Sequence, residues 1–217
     1  MKLYSFPGTA GFVPNYAIAL TGAPIDIVCM ERGEHKEEAY LSINPKGQVP
    51  ALLFDDGDVL TETVAILDYI DAVHGGENRA PFNRGTQQGR KEAEALSYLS
   101  STVHATFRCH FAPHLFAKGA KNEKAARHIA YWRLDAMFDQ IDEDMGKQDG
   151  PWMLGQKSYA DAYLYIIGRW IERTPMDISD YPNLLTHQQE MEKDEVVLLA
   201  LQQQNMTPAN YSGDEEE

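Results

Sequence analysis

A chain of 217 residues with 43% hydrophobic content carries enough apolar material for one large domain or two modest ones. Its formal net charge of -14 excludes a nucleic-acid binder or an anionic membrane-surface protein, since both need a positive footprint. Two cysteines, Cys29 and Cys109, with no CxxC pair, exclude a disulfide framework and autonomous dithiol redox chemistry. The longest apolar runs, such as 196–201, fall far short of the roughly 20 residues that span a bilayer, and the first residues lack the apolar core of a signal peptide, so a cytoplasmic location is expected.

In chain order, residues 1–5 predict a short strand and 14–21 a helix stopped by Gly22. "PIDIVCM" predicts a second strand with Ile25, Ile27 and Cys29 on one face, which completes a βαβ unit. After a charged loop at 31–38, "VPALLFDDGDVLTE" places two apolar runs around Asp55-Asp56-Gly57-Asp58, a hairpin signal because Asp and Gly tolerate tight turns. The helix that follows is expected to start with Thr61 as N-cap and Glu62 in its first turn. It should bury Ile66, Tyr69, Ile70 and Val73, and end at Gly75-Gly76. The order βαβ then ββα describes a thioredoxin-like α/β domain over 1–76, followed by a linker over 77–86.

From Gly89 the strand signals stop. Leu96, Leu99, Val103, Phe107 and Phe111 recur at helical spacing, 123–146 supplies a second helix, and "SYADAYLYIIGRWI" a third, opened by a capping box between Ser158 and Asp161. An all-helical domain is expected over 87–205. The acidic tail over 206–217 reads as solvated and disordered.

The segment "INPKGQVPALLFDDGDVLTET", preceded by "MKLYSFPG" and followed by "SYADAYLYIIGRW", resembles the cytosolic glutathione transferases, and most of all their bacterial beta class. The resemblance runs over almost the whole chain, about 1–201. It implies a thioredoxin-like domain that holds glutathione as co-substrate, a helical domain that supplies the wall for a hydrophobic electrophile, and a homodimer with a detoxifying role. No metal is expected. A glutathione-dependent disulfide reductase or peroxidase, or a non-catalytic module that binds glutathione or a partner, are the alternatives.

Elementary chemistry gives the same residues work. Pro50 at the entry to a strand removes a ladder donor, and is natural there if its peptide bond is cis. Val49 then offers its N–H and C=O to an extended cysteinyl peptide, which pairs like an added strand. Glu62 and Thr63 open a helix whose free amides suit a carboxylate, while Glu62 suits an ammonium; by resemblance Gln48, Val49, Glu62 and Thr63 hold the γ-glutamyl end. Arg32, His35 and Lys36 are the candidates for the glycine carboxylate, with Lys36 carried forward.

The opening turn "SFPGTAGF" departs from the beta class, which has a cysteine where this chain has Ala10. A thiolate of ordinary pKa about 8.5 then needs another donor: the Thr9 hydroxyl, the Tyr4 hydroxyl, or the amides of Ala10 and Gly11 ahead of a helix. His104 matches the histidine that the resemblance places beside the sulfur. With Phe12, Phe107, Phe111 and Trp170 it is expected to line the electrophile pocket. His110 and His114 near Cys109 superficially suggest a metal site, but Pro113 should break their helix and no carboxylate set completes it.

Overall fold

Lys2 and Tyr4 alternate with the buried Leu3 and Ser5 along β1 (Lys2–Ser5), the period-two signature of a strand with one face on a core. The computed structural model describes residues 1–76 and 84–209, so most of the expected linker and most of the acidic tail lie outside the described residues. Within the described chain, 1–76 with 189–209 form one compact unit and 84–188 another. Among the described residues, no helix is long and apolar enough to cross a membrane.

In the first unit β1 pairs in parallel with β2 (Asp26–Cys29) and antiparallel with β3 (Ala51–Leu53), which forms the expected hairpin with β4 (Val59–Thr61). The four-stranded order is β2-β1-β3-β4. One face receives α1 (Phe12–Thr21) and α3 (Thr63–His74), which bury Phe12, Val13, Ala17, Ile66, Leu67 and Ile70 with Leu3 and Leu52. The helix α1 starts two residues before Pro14. A proline in the first turn costs no hydrogen bond, because the amides there have no partner within the helix. It ends at Gly22, whose left-handed φ of 67° lets its N–H reach the Ile18 carbonyl at 2.9 Å.

The other face carries Phe6, Met30, Tyr40 and Ala51, with Tyr4, Val28, Val49 and Val59 packed against them. Tyr40 comes from α2 (Glu38–Leu41), a short helix that, with a 3-10 turn at Glu34–Lys36, occupies the segment read as a charged loop. Four residues are too short for a periodic signal, so α2 is fixed by its tertiary anchor.

The start of α3 differs from expectation. Thr61 ends β4, Glu62 takes the N-cap position at φ 76°, and Thr63 is the first helical residue. Val73, expected in the core, is 57% exposed; the buried stripe is Ile66, Leu67 and Ile70. A helix not read from the sequence, α9 (Glu195–Gln203), completes this unit. Asp194 caps it through Val196 N at 2.7 Å, and Asn15 Nδ2 donates to the Ala200 carbonyl at 2.8 Å from α1.

In the second unit, α4 (Gln87–Tyr98) runs through a π-helical turn at Leu99–Val103 into α5 (His104–Phe111). Leu96, Leu99, Val103 and Phe107 are all buried, as the spacing predicts. The helix stops at Phe111, and Pro113 begins a 3-10 turn, so the proline does end the helix. The unit is completed by α6 (Ala120–Met145), by α7 (Tyr159–Gly168) and by α8 (Pro182–Met191), which crosses the division at 188/189. The predicted capping box is present: Asp161 Oδ2 accepts from Ser158 N at 2.8 Å, at the start of the fully buried α7.

Candidate functional site

The first unit assembles three neighbouring features at one end of its sheet, after β1, before β3 and after β4. The turn after β1 is held by its own side chains: Thr9 Oγ1 donates to the Phe6 carbonyl at 2.9 Å, Ser5 Oγ lies 3.3 Å from Thr9 Oγ1, and Gln204 Nε2 donates to Ser5 Oγ at 3.2 Å. Gly11 is required because a Cβ there would sit 1.9 Å from Ser5 Oγ. A hydroxyl has one proton, and that of Thr9 is engaged with Phe6. The amides of Ala10 and Gly11 donate to no described residue, although both residues are buried at the start of α1. Buried N–H groups without partners are rare in folded chains, and these two lie where the helix dipole favours an anion.

The second feature is the strand entry. The Val49–Pro50 peptide bond is cis, as expected, and β3 begins only at Ala51. The Gln48 carbonyl is occupied twice, by Tyr40 Oη at 2.6 Å and Asn44 Nδ2 at 2.8 Å. Val49, half-buried, has neither N–H nor C=O bonded to a described residue. The clamp from Tyr40 and Asn44 fixes the backbone that presents those two groups, and neither residue was singled out from the sequence. Asn44 belongs to the "INPKGQVP" pattern, but its target is visible only after folding.

The third feature is the N-terminus of α3. Ile66 N bonds to the Glu62 carbonyl at 3.0 Å, so the amides of Thr63, Val64 and Ala65 lie before the first intrahelical bond. The Glu62 carboxylate is exposed, with Lys46 Nζ at 3.6 Å. With side chains 56% and 74% exposed, that ion pair is weak. Thr63 is almost buried. Lys36 and Arg32 are exposed, whereas His35 packs edge-on against Phe6 with ring centroids 5.0 Å apart. Burial and the neighbouring Lys36 and Arg32 cations push the His35 pKa below its usual value.

The second unit gathers the aromatic residues. His104 meets Trp170 edge-on at 4.8 Å, Trp170 meets Phe107 at 5.3 Å, and Phe107 stacks on Phe111 at 5.6 Å. His104 Nδ1 lies 2.9 Å from Tyr163 Oη, a partner not expected from the sequence. Desolvation by burial, and secondarily the Arg108 cation, lowers the His104 pKa to about 4, so the imidazole is neutral near pH 7. Phe107 is fully buried and Trp170 nearly so; Phe111 is partly open.

Phe12 is corrected: it is fully buried in the first unit against Tyr16, a core residue rather than a wall open to a ligand. Tyr4 packs beside Tyr40, with centroids 5.7 Å apart, on the sheet face. His110 Nδ1 contacts the Arg127 carbonyl at 3.3 Å, and Cys109 Sγ the Ala126 carbonyl at 3.8 Å, which engages both in helix packing.

This geometry, a thioredoxin-like sheet with a free extended backbone and two helix N-termini, is that of a protein able to pair with an extended peptide carrying an anionic group. Residues 1–72 match the model of the glutathione S-transferase N-terminal domain. The chain is 30% identical over 196 residues to glutathione S-transferase GstA of Escherichia coli O157:H7, covering 88% of this chain and 92% of that one. A glutathione transferase homologue from Sulfitobacter with bound glutathione superposes with TM-score 0.84 at 30% identity over 95% of this chain and 98% of the other. A beta-class glutathione S-transferase of Sphingomonas chungbukensis gives TM-score 0.81 at 30% identity, covering 95% and 100%. The chain belongs to the glutathione S-transferase family.

Proposed function

We propose that the protein is a glutathione transferase that joins the thiolate of glutathione to a hydrophobic electrophile. The observation that carries the reading is the pair of free backbone groups at Val49 beside the unpartnered amides of Ala10 and Gly11. Val49 receives the cysteinyl residue as an added strand, Glu62 takes the α-ammonium and the first amides of α3 with Thr63 take the γ-glutamyl carboxylate. The thiol gives its proton to solvent. Its sulfur, stabilised by the Ala10 and Gly11 amides, forms the C–S bond as the leaving group departs with its electron pair.

Thr9 stabilises that turn without addressing the sulfur, because its only hydroxyl proton already holds Phe6. Lys36 remains the choice for the glycine carboxylate among Arg32, His35 and Lys36, of which His35 is held toward its neutral form. The aromatic cluster around His104 and Phe111 takes the apolar body of the electrophile. The family resemblance adds a homodimer and a cytoplasmic location to this reading, and assigns no part to a metal.

The transferase names of the relatives and the glutathione in the Sulfitobacter structure favour conjugation over a disulfide reductase and over a non-catalytic module. The test is twofold: calorimetric binding of glutathione, and thiolate absorbance against pH in the complex. Binding with a thiol pKa at least one unit below that of free glutathione is expected; no binding at millimolar ligand overturns the reading.

A further inference from the structure

Several arginines of this acidic chain have no carboxylate within 4 Å among the described residues, and one of them lies over an aromatic ring. The Arg173 guanidinium lies over Phe111 at 4.7 Å from its centroid. Arg108 precedes Phe111 by three residues on α5, which puts both on one face of the helix. Both arginines are exposed, and neither lies within 4 Å of a carboxylate among the described residues. Arg108 is also close enough to His104 to disfavour its protonation, second to burial, so the imidazole beside this face stays neutral.

The place of Arg173 over Phe111 seats the guanidinium on an apolar surface, and its N–H groups donate to no carboxylate among the described residues, which leaves them to a planar anion. Arginine suits that task better than lysine because its fork matches both oxygens of a carboxylate. The partly open Phe111 ring, continuous with Phe107 and Trp170, supplies apolar contact beside the charge. We propose that Arg173, supported by Arg108, makes this cluster a site for electrophiles that carry a carboxylate on an aromatic body, so that acidic aromatic compounds are the preferred co-substrates. The inference rests on the transferase reading for its chemistry, but the anion site itself does not.

Two measurements keep the failures distinguishable. In the first, calorimetry compares para-nitrobenzoate with nitrobenzene on wild type and Arg173→Gln. The anion should bind the wild type and lose about 10- to 100-fold in affinity in the variant, with partial recovery in Arg173→Lys. Equal para-nitrobenzoate affinity in wild type and Arg173→Gln overturns the proposal. In the second, a chlorodinitrobenzoate and its neutral methyl ester are compared as electrophiles. The ratio of their kcat/KM values, acid over ester, should fall at least tenfold in Arg173→Gln, and a ratio unchanged within twofold also overturns it. Anion binding that depends on Arg173, with turnover of neither electrophile, supports the anion site and overturns the transferase reading.

Discussion

Thr9 Oγ1 donates its proton to the Phe6 carbonyl at 2.9 Å, which turns the only hydroxyl of the loop inward. Thr9→Ala should therefore cost about 1 kcal/mol of stability from the lost turn bond. It should leave the pKa of bound glutathione within a few tenths of the wild-type value. Thiolate absorbance titrated in both complexes checks this. A return to the pKa of free glutathione in the variant would instead make Thr9 the donor.

The free N–H and C=O of Val49 predict a ligand-side effect that needs no change in the protein. Glutathione methylated on its cysteinyl nitrogen cannot donate to the Val49 carbonyl, which is then left buried and unsatisfied. A loss of about 10- to 100-fold in affinity follows from a cost of roughly 1–3 kcal/mol. Calorimetry with the methylated and natural peptides reads it directly, and equal affinities would remove Val49 from the site.

Glu62 combines an exposed carboxylate with φ 76°, a conformation that costs a non-glycine residue about 1–3 kcal/mol. Glu62→Gly removes both at once. The variant should melt at or above the wild-type temperature, because glycine adopts this φ freely, yet bind glutathione at least tenfold more weakly. A drop in melting temperature together with unchanged binding would make Glu62 a structural residue only.

The hairpin, the cis Val49–Pro50 bond and the capping box of Ser158 with Asp161 were legible because each is a local pattern of residue types within a few positions. The entry to α3 was misjudged by one residue: Thr61 is a good N-cap type, but its place in the ladder opposite Ala51 prevails over that propensity. Phe12 was misread for a related reason, since an aromatic beside a binding turn and an aromatic under it have the same sequence neighbours. Tyr40, Asn44 and Tyr163 were beyond reach, because each acts on a partner whose position depends on the assembled fold. So was the missing freedom of the Thr9 hydroxyl, which a hydrogen-bond inventory shows and a residue type does not.

His104 links stability to pH. Its folded pKa of about 4 lies below the unfolded value near 6.5, so between these the unfolded chain binds the extra proton and stability falls as pH falls. The contribution is fully present above pH 6.5 and lost on the way down to about 4, amounting to roughly 3 kcal/mol at the acid end. His104→Gln, which keeps a polar group toward Tyr163, should flatten the curve of unfolding free energy over this range. Parallel curves for wild type and variant would show that His104 does not carry the dependence.

Asp161 is fully buried in the second unit and accepts from Ser158 N at 2.8 Å, Ser158 Oγ at 3.0 Å and Met153 N at 2.8 Å, with His187 Nε2 at 3.2 Å. Removing the carboxylate orphans two backbone amides at the N-terminus of α7 and before it, in surroundings that admit no water-exposed substitute. Asp161→Ala should cost about 3–5 kcal/mol, the scale for breaking a buried charged network, whereas Ser158→Ala loses about 1 kcal/mol of capping. Because both residues serve one network, the double variant should be less destabilised than the two single losses added together, and urea unfolding of all four proteins measures that coupling. Additive losses would mean that the Ser158 Oγ contact carries no coupling, leaving Asp161 to act through the Ser158 and Met153 amides and His187.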